Sequence, residues 1–353
     1  MKRLKLNVLF IFGTAKIAYK IVECVKDGTI VIIFSTSNYH ETRSYELSYK
    51  DTDEEYDKKR HKFVSDSDYI DGTMGFLESG IDVYVMNVFT HIRLIEIFKY
   101  FYAISCCRNG LPETYIPLLD SYAYRGLIVS FDNNKSIAEE ANEISVNSIV
   151  LSGVAHCYAP LAVEWNEDKS VATIKAEKFG YLVFPPFCEV FRTFFAVKLS
   201  SPVAITFTET PEEYQRAVDM KMLNCNALHT LACCVIKTLY PQEYEQMNFG
   251  DIDNYVFDGI VSSLLEVHRN AYYNLWAEGE NYDFASKLAL SFLDNLRKYK
   301  DPCVRGVDFN SKTSIHKASV HLRFMRKAGI DVEEYVRALG VKELTNIIDE
   351  VAG

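Results

Sequence analysis

The chain has 353 residues, a length that favours two domains with enough apolar residues for a core in each. Its formal net charge of −10, without a dense basic run to offset it, argues against a general nucleic-acid binder. Nine cysteines without a Cys-x-x-Cys spacing indicate reduced thiols in a cytoplasmic protein rather than a disulfide framework. Eight scattered histidines lack the i, i+4 pair of a zinc hydrolase, so no metal is expected.

The N-terminal apolar run, residues 6–12, follows three basic residues in the manner of a signal peptide. The run is short, however, and Lys16 and Lys20 come soon after it. No apolar stretch of the chain reaches the about 18 residues that a membrane span needs. The run is therefore predicted to be a buried first strand, in a protein with no membrane partner.

The next residues predict a dinucleotide-binding β-α-β unit, with a helix over 15–26 and a second strand over 29–34. Gly13 and Ala18 fit the Gly-x-Gly-x-x-Gly/Ala fingerprint of the turn between strand and helix. Ala15 departs from it, because its methyl group stands where the backbone must approach a pyrophosphate. The predicted cofactor contacts of this turn are Gly13, Thr14, Ala15, Lys16 and Ile17.

The choice between NAD and NADP stays open. Residues 35–38 after the second strand contain no Asp or Glu for the ribose hydroxyls of NAD. Arg43 is a candidate for the 2′-phosphate of NADP, or simply a solvated arginine.

After a charged segment, three later residues are also candidates for cofactor binding. Residues 40–70 carry many charges and predict a solvated excursion or an edge hairpin. A strand over 81–86 ends before Asn87, which is either a cofactor contact or a turn residue. A helix is then expected over 88–105 and a strand over 126–131. Asp132 and Asn133 at the end of that strand are either contacts to the nicotinamide ribose or part of a helix cap.

The predicted fold class is α/β plus all-α. Strands over 171–177 and 180–184 are expected to extend the sheet, and proline-rich turns follow them. The predicted domains are a Rossmann-like doubly wound dinucleotide-binding domain over 1–204 and a helical substrate or catalytic domain over 205–353. The helices of the second domain are expected at 211–240, 254–276, 283–298, 312–328, 331–338 and 341–350.

The helix over 211–240 carries the main catalytic candidates. Thr210 and Glu213 predict a capping box, with Pro211 at the first helical position. Lys221 and His229 would point about 80° apart on a regular α-helix, and Asn226 about 60° beyond His229. The three therefore share one flank, either as an acid–base pocket or as a solvated polar strip.

This Lys-x4-Asn-x2-His pattern resembles the signature of the mannitol dehydrogenase family, the polyol-specific long-chain dehydrogenases. The resemblance implies that Lys221 is the general base and that Asn226 and His229 hold the reacting oxygen. Residues 127–133 resemble the family's strand ending in Cys-Asp/Glu-Asn, with Phe131 in place of the cysteine. An Asp-Pro turn at 301–302 and a following basic helix resemble the family's C-terminal region. The length is closest to the mannitol-1-phosphate 5-dehydrogenase-like branch.

The substrate groups depart from the family pattern. Where the family has Asn or Asp followed by an Asp-Arg pair, this chain has Ser152 and no such pair. Arg305, Lys312 and Lys317 are candidates for binding a substrate phosphate or carboxylate, or else belong to a solvated helix face.

The sequence thus predicts an NAD- or NADP-dependent oxidoreductase that interconverts a secondary alcohol and a ketone. Its small-molecule partner would be a sugar alcohol (polyol), a sugar phosphate or a sugar acid such as a uronate. The expected assembly is a monomer or homodimer. The alternative is a non-catalytic binding or regulatory protein that retains the dehydrogenase fold with a degenerate nucleotide site.

Overall fold

The structure is a computed structural model. It describes residues 7–14, 16–36, 44–48, 61–64, 82–107, 109–131, 135–156, 163–165, 171–175, 180–195, 204–276, 282–303 and 312–333. The chain forms two compact units, Met1–Tyr214 and Gln215–Gly353. The sequence had set the boundary between 204 and 205. In the described part of the chain, no helix is both long and apolar enough to cross a membrane.

The strands and helices are numbered along the chain. The strands are β1 (Asn7–Phe12), β2 (Thr29–Ser35), β3 (Ser44–Ser48), β4 (His61–Val64), β5 (Val83–Asn87), β6 (Phe101–Ser105), β7 (Gly126–Ser130), β8 (Ile149–Ser152), β9 (Val154–His156), β10 (Val163–Trp165), β11 (Val171–Lys175), β12 (Tyr181–Phe184) and β13 (Ala204–Phe207). The α-helices are α1 (Lys16–Cys24), α2 (Val88–His91), α3 (Ile116–Ser121), α4 (Lys135–Ile144), α5 (Pro211–Lys221), α6 (Leu228–Leu239), α7 (Asn254–Leu275), α8 (Tyr282–Lys298) and α9 (Lys312–Lys327).

The first unit is built on a seven-stranded parallel sheet with strand order β4-β5-β2-β1-β6-β7-β8. Apolar side chains cover both of its faces, as the continuous apolar runs of its strands require. On one face Phe12 stacks on Tyr115, with ring centroids 4.9 Å apart. On the other face Ile21 and Val22 of α1 pack with Phe184 in one buried cluster. The chain moves from β1 to one side of the sheet and later returns to the other side at β6, so the strand order reverses between β1 and β6.

The prediction of a single helix over 88–105 was wrong in its second half. Only α2 and a 3₁₀ turn over Ile92–Ile97 are helical, and Phe101–Ser105 is the strand β6 beside β1. A short apolar run such as Phe-Tyr-Ala-Ile-Ser fits a buried strand as well as a buried helix, because both bury every side chain. Pairing with β1, which is distant in the sequence, decides between them.

One of the two alternatives for residues 40–70, the edge hairpin, and one expectation about the main sheet were also wrong. Within residues 40–70, β3 and β4 are not hairpin partners, because β3 pairs with β11 and β4 pairs with β5. The strands expected to extend the main sheet, β11 and β12, instead form two three-stranded sheets, β10-β11-β3 and β13-β12-β9. Local apolarity predicts that a strand exists but does not identify its neighbour.

The described part of the second unit is helical. Helices α7, α8 and α9 lie where the sequence predicts them, whereas most of the segments 331–338 and 341–350 falls outside the described residues. The expected helix over 211–240 is interrupted, because a π-helical turn over Met222–Ala227 separates α5 from α6. Helix α5 starts as predicted: the N–H of Glu213 donates to Thr210 Oγ1 at 3.2 Å. The carboxylate of Glu213 accepts from the N–H of Glu209, however, and not from the N–H of the cap residue.

Candidate functional site

The turn after β1 lies where the strand order of the sheet reverses. Gly13 has φ of +91°, and its N–H donates to the carbonyl of Phe34 at 2.9 Å. A Cβ at this position would lie 2.8 Å from the Cβ of Cys107. Both the backbone conformation and the space therefore require glycine here.

Cys106 and Cys107 close the other side of this turn. The N–H of Cys106 donates to the carbonyl of Phe12 at 2.8 Å, so the segment after β6 is attached to the end of β1. In doubly wound sheets, ligands bind outside the carboxyl ends of the strands at such a reversal point. Gly13 and its neighbours therefore lie at the position where doubly wound sheets bind ligands.

The other residues of the turn are placed in part. Thr14 is half-buried, and Ile17 packs against the core on the α1 side of the sheet. Lys16 is the first residue of α1, but its side chain is outside the described part of the chain. Ala15 lies outside the described residues. The cofactor contacts of this turn stay predictions.

Asn87 is a helix cap. Its Oδ1 accepts hydrogen bonds from the N–H groups of Phe89 at 2.8 Å and Thr90 at 3.2 Å, and its side chain is buried. Of the two roles the sequence left open, the turn role is therefore observed. A cofactor contact stays a prediction.

A row of three serines crosses the carboxyl edge of the sheet, which the sequence did not reveal. Ser105 pairs with Ser130, and Ser130 pairs with Ser152, at the ends of β6, β7 and β8. Residues paired across parallel strands point to the same face, so the three hydroxyls share one side of the sheet. The Oγ of Ser130 is buried and has no hydrogen-bond partner among the described residues. The row was missed because β6 had been assigned to a helix.

Ser152, predicted to bind substrate, is half-buried at the end of β8. Its carbonyl accepts a hydrogen bond from the Tyr214 hydroxyl. Burial raises the pKa of Tyr214. Phe131, which replaces the family's cysteine, is buried and packs edge-on against Phe184 with ring centroids 5.0 Å apart. Asp132 and Asn133 lie outside the described residues.

In the second unit, the catalytic candidates lie at and around the π-helical turn. Lys221 is the last residue of α5 and is buried. Residues of a π-helix bond to i+5, so each turns through less than the about 100° of an α-helix residue. The predicted angles between Lys221, Asn226 and His229 were therefore wrong, because they assumed one regular α-helix. Single π-helical turns within α-helices occur often at functional sites.

Asn226 and His229 are both engaged by neighbours. The amide of Asn226 is half-buried, and its Nδ2 donates to Met222 Sδ at 3.1 Å. A thioether is a weak acceptor, so an oxygen could replace it at little cost. His229 Nε2 lies 3.3 Å from Asp301 Oδ2, close enough for an ion pair, although the contact falls short of hydrogen-bond geometry. Phe249 and Phe292 pack near the His229 ring.

Asp301 is a site candidate that the sequence presented only as part of an Asp-Pro turn. The residue is buried, its N–H donates to the carbonyl of Leu296 at 2.9 Å, and its carbonyl accepts from Phe249 at 2.9 Å. These bonds hold the backbone of Asp301, and its carboxylate lies beside the ring of His229. A buried acid beside an imidazole can orient the ring. Its position 72 residues after His229 (301 − 229) left no local signal for the pairing.

Asn224 and His268 form a buried pair that the sequence also missed. Neither residue is accessible to solvent, and His268 Nε2 donates to Asn224 Oδ1 at 2.8 Å. Burial lowers the pKa of His268 to about 4, so the ring is neutral at pH 7. Asn224 had been treated as a spacer within the Lys-x4-Asn-x2-His pattern.

The basic candidates for a substrate anion are not tested by the structure. Lys312 and Lys317 belong to α9, but their side chains are outside the described part of the chain, and so is the whole of Arg305. Within the described residues, no cluster of three or more His, Cys, Asp or Glu side chains could hold a metal ion.

Comparisons with known proteins identify the fold. No family model matches the chain, and no curated protein sequence matches it. The 2-dehydropantoate 2-reductase of Geobacter metallireducens GS-15 superposes over 98% of this chain and 99% of its own, with a TM-score of 0.51 and 11% identity. A putative 2-dehydropantoate 2-reductase from Enterococcus faecalis covers 98% and 99% with a TM-score of 0.42 and 9% identity. DsGPDH of Dunaliella salina covers 92% of this chain and 61% of its own, with a TM-score of 0.41 and 10% identity.

The first of these likenesses, at 11% identity, shows the fold alone. It confirms the expected fold class, a Rossmann-like doubly wound sheet followed by a mostly helical C-terminal region.

Proposed function

We propose that the chain is an NAD- or NADP-dependent oxidoreductase. The observation that carries the proposal is the Gly13 turn, which lies at the reversal point of a doubly wound sheet and leads directly into α1. The backbone N–H groups at the start of a helix, together with its dipole, attract a phosphate. A turn without a side chain at Gly13 is suited to holding a pyrophosphate there.

The reaction we propose interconverts a secondary alcohol and a ketone on a sugar alcohol, a sugar phosphate or a sugar acid. Bound NAD(P) would supply the hydride acceptor for the carbinol carbon, and the hydride carries two electrons. The hydroxyl proton would pass to the amine of Lys221, acting as general base. In the reverse direction, the ammonium of Lys221 returns that proton to the carbonyl oxygen.

Asn226 and His229 would donate hydrogen bonds to the oxygen as negative charge develops on it, an effect worth about 3 kcal/mol per donor in other enzymes. The weak Met222 acceptor leaves the Asn226 amide available for exchange with a substrate oxygen. Asp301 would hold the ring of His229 in a fixed orientation. Ser152, Arg305, Lys312 and Lys317 remain our candidates for the other substrate groups.

The substrate class rests on the likeness of Lys221, Asn226 and His229 to the mannitol dehydrogenase signature. The structural neighbour from Geobacter metallireducens is named for 2-dehydropantoate, which makes that 2-oxo acid a second probe. We further propose a cytoplasmic protein, monomeric or homodimeric, whose partner is a small molecule rather than a nucleic acid or membrane.

The first experiment is a titration of the purified protein with NADH and with NADPH, followed by nicotinamide fluorescence and by thermal stability. Saturable binding of one of the two nucleotides is expected, and the nucleotide that binds more tightly is identified as the cofactor. Absence of binding to both at millimolar concentration would refute the proposal and favour a non-catalytic protein of the same fold.

Turnover is then measured by nicotinamide absorbance with mannitol 1-phosphate, mannitol, a uronate and 2-dehydropantoate. Lys221→Met is expected to lower turnover by about 10²-fold or more while nucleotide binding is kept. Lys237→Met, in the partly buried lysine of α6, is the matched control and should retain turnover. Equal turnover in the two variants would rule out Lys221 as the base.

A further inference from the structure

The buried pair Asn224–His268 lies at the middle of the π-helical turn. Asn224 is the third residue of the turn and three positions after Lys221. Its partner His268 comes from α7, which packs against the turn, and the two side chains meet at 2.8 Å. Helices α8 and α9 also pack against the turn. Three helices thus pack against the turn. The Asn224–His268 hydrogen bond is a polar contact within a region that is otherwise largely apolar.

The pair leaves two polar atoms without hydrogen bonds. Because the carbonyl oxygen of Asn224 accepts from Nε2–H, the Nδ1 of the neutral His268 ring carries only a lone pair. Neither this Nδ1 nor the Nδ2 of Asn224 has a hydrogen-bond partner among the described residues. Buried polar atoms without partners destabilise a fold, and apolar side chains of similar shape would avoid that cost. A pair of this kind therefore calls for a role other than stability.

We propose that the Asn224–His268 hydrogen bond is a positioning device that holds the π-helical turn and thereby directs the side chain of Lys221. Both members have no solvent-accessible surface, so they act through the backbone of the turn and not by contact with a ligand. The turn lies between Lys221 and His229 and contains Asn226, and its wider winding sets the angles among these three side chains. The inference rests on the proposed function for the catalytic consequence, although the direction of Lys221 can be measured without turnover.

The chain offers a matched control in His321. This histidine, in α9, is also buried, and its Nδ1 lies 3.1 Å from the hydroxyl of Thr230, which belongs to α6 beyond the π-helical turn. Thr230 keeps a second bond to the carbonyl of Asn226 at 3.0 Å if the ring is removed. His321→Leu therefore removes a buried imidazole near the helix without removing the Asn224–His268 bond.

The direction of Lys221 is read from the NMR signal of its εCH₂ group in protein labelled with ¹³C-lysine, assigned by the loss of one signal in Lys221→Arg. In His268→Leu the Lys221 signal is expected to shift or broaden. In His268→Gln, whose amide can again donate to Asn224, the signal should return to the wild-type position. His321→Leu should leave the Lys221 signal unchanged.

Kinetics and thermal unfolding complete the test with the same variants. His268→Leu is expected to lower kcat by about tenfold or more, as a small misplacement of a reacting group does, with the KM for the nucleotide unchanged. His268→Gln should restore kcat. If His268→Leu does not fold, Asn224→Leu with His268→Leu removes both polar groups, and its Tm is expected to equal or exceed that of the wild type.

An unmoved Lys221 signal in a folded His268→Leu variant would overturn the inference, whatever the activity. A Lys221 signal that moves equally in His321→Leu would do the same, because the effect would then be general to the core. Failure of the wild-type protein to bind either nucleotide would refute the proposed function alone, since the NMR comparison does not depend on the nucleotide.

Discussion

Gly13→Ala is the substitution that tests the geometry of the proposed nucleotide turn. Two separate features oppose a side chain at Gly13: a φ of +91° and the Cβ of Cys107 at 2.8 Å from the added methyl group. Gly28 offers a matched control. It also has positive φ, at +78°, but an added Cβ there meets no atom within 4 Å.

The two substitutions separate backbone strain from crowding. Alanine at positive φ costs about 1–2 kcal/mol, partly offset by the reduced freedom of the unfolded chain. Gly28→Ala should therefore lower the free energy of unfolding by about 1 kcal/mol. Carbon atoms prefer about 3.5–4.0 Å, and forcing a methyl group into a packed site costs about 1–3 kcal/mol more. Gly13→Ala should accordingly lower the free energy of unfolding by about 2–4 kcal/mol.

Urea unfolding, monitored by circular dichroism, measures both free energies of unfolding. Nucleotide affinity is then measured by a fluorescence titration with NADH or NADPH under conditions in which each variant is folded. Gly13→Ala is expected to lose nucleotide affinity, because the turn must shift away from Cys107, whereas Gly28→Ala should bind as the wild type does. Equal destabilisation by the two substitutions would refute the crowding argument. Unchanged affinity in a destabilised Gly13→Ala would refute the assignment of the turn to nucleotide binding.

Three further substitutions test other parts of the structure. The lowered pKa of His268, about 4 in the folded protein against 6.5 when unfolded, means that the unfolded state binds more protons between these values. Stability should be complete above about pH 6.5 and fall by about 3 kcal/mol as the pH drops to about 4, and His268→Leu should remove this part of the pH dependence of Tm. Asp301→Asn should lower turnover by about tenfold without changing nucleotide affinity, because the ring of His229 loses its carboxylate neighbour. Thr210→Ala should lower the free energy of unfolding by about 1 kcal/mol, because the Glu213 N–H loses its cap.

Each of these predictions has an internal comparison. His321→Leu should leave the acid-dependent loss of stability in place, and an equal effect of both histidine variants would contradict the assignment to His268. Asp283→Asn, in an exposed residue at the start of α8, should keep full turnover. Thr238→Ala, whose hydroxyl bonds to a carbonyl of its own helix, should change stability by less than about 0.5 kcal/mol. A Thr210→Ala effect no larger than this would show that the cap contributes nothing.

The two-unit architecture and many of its elements could be predicted from the sequence. Residues 7–12 and 29–35 are apolar runs that can only be buried, and the glycine between strand and helix predicts a tight turn. Helices α7, α8 and α9 follow from apolar residues at helical spacing over long stretches. Thr210, as a capping residue, predicts the start of α5. In each case the cause acts within one or two turns of chain.

The arrangement of strands depended on contacts between distant residues. The run at 101–105 becomes a strand because β1 and β7 lie on its two sides, and only that pairing brings Ser105, Ser130 and Ser152 into one row. Likewise, the separate sheets of β11 and β12 depend on partners up to 127 residues away (171 − 44). The local sequence of a strand does not identify the strands to which it will be hydrogen-bonded.

The candidate site shows the same division. Lys221, Asn226 and His229 could be named from their residue types and spacing, but their directions could not, because the π-helical turn at Met222–Ala227 changes the winding between them. Asp301 and His268 could be recognised as candidate site residues only from the tertiary structure, which places Asp301 beside His229 and His268 beside Asn224. The sequence by itself determined which chemical groups the helix carries. Tertiary packing decided which groups meet, since a buried polar atom takes its partner from whatever element is packed against it.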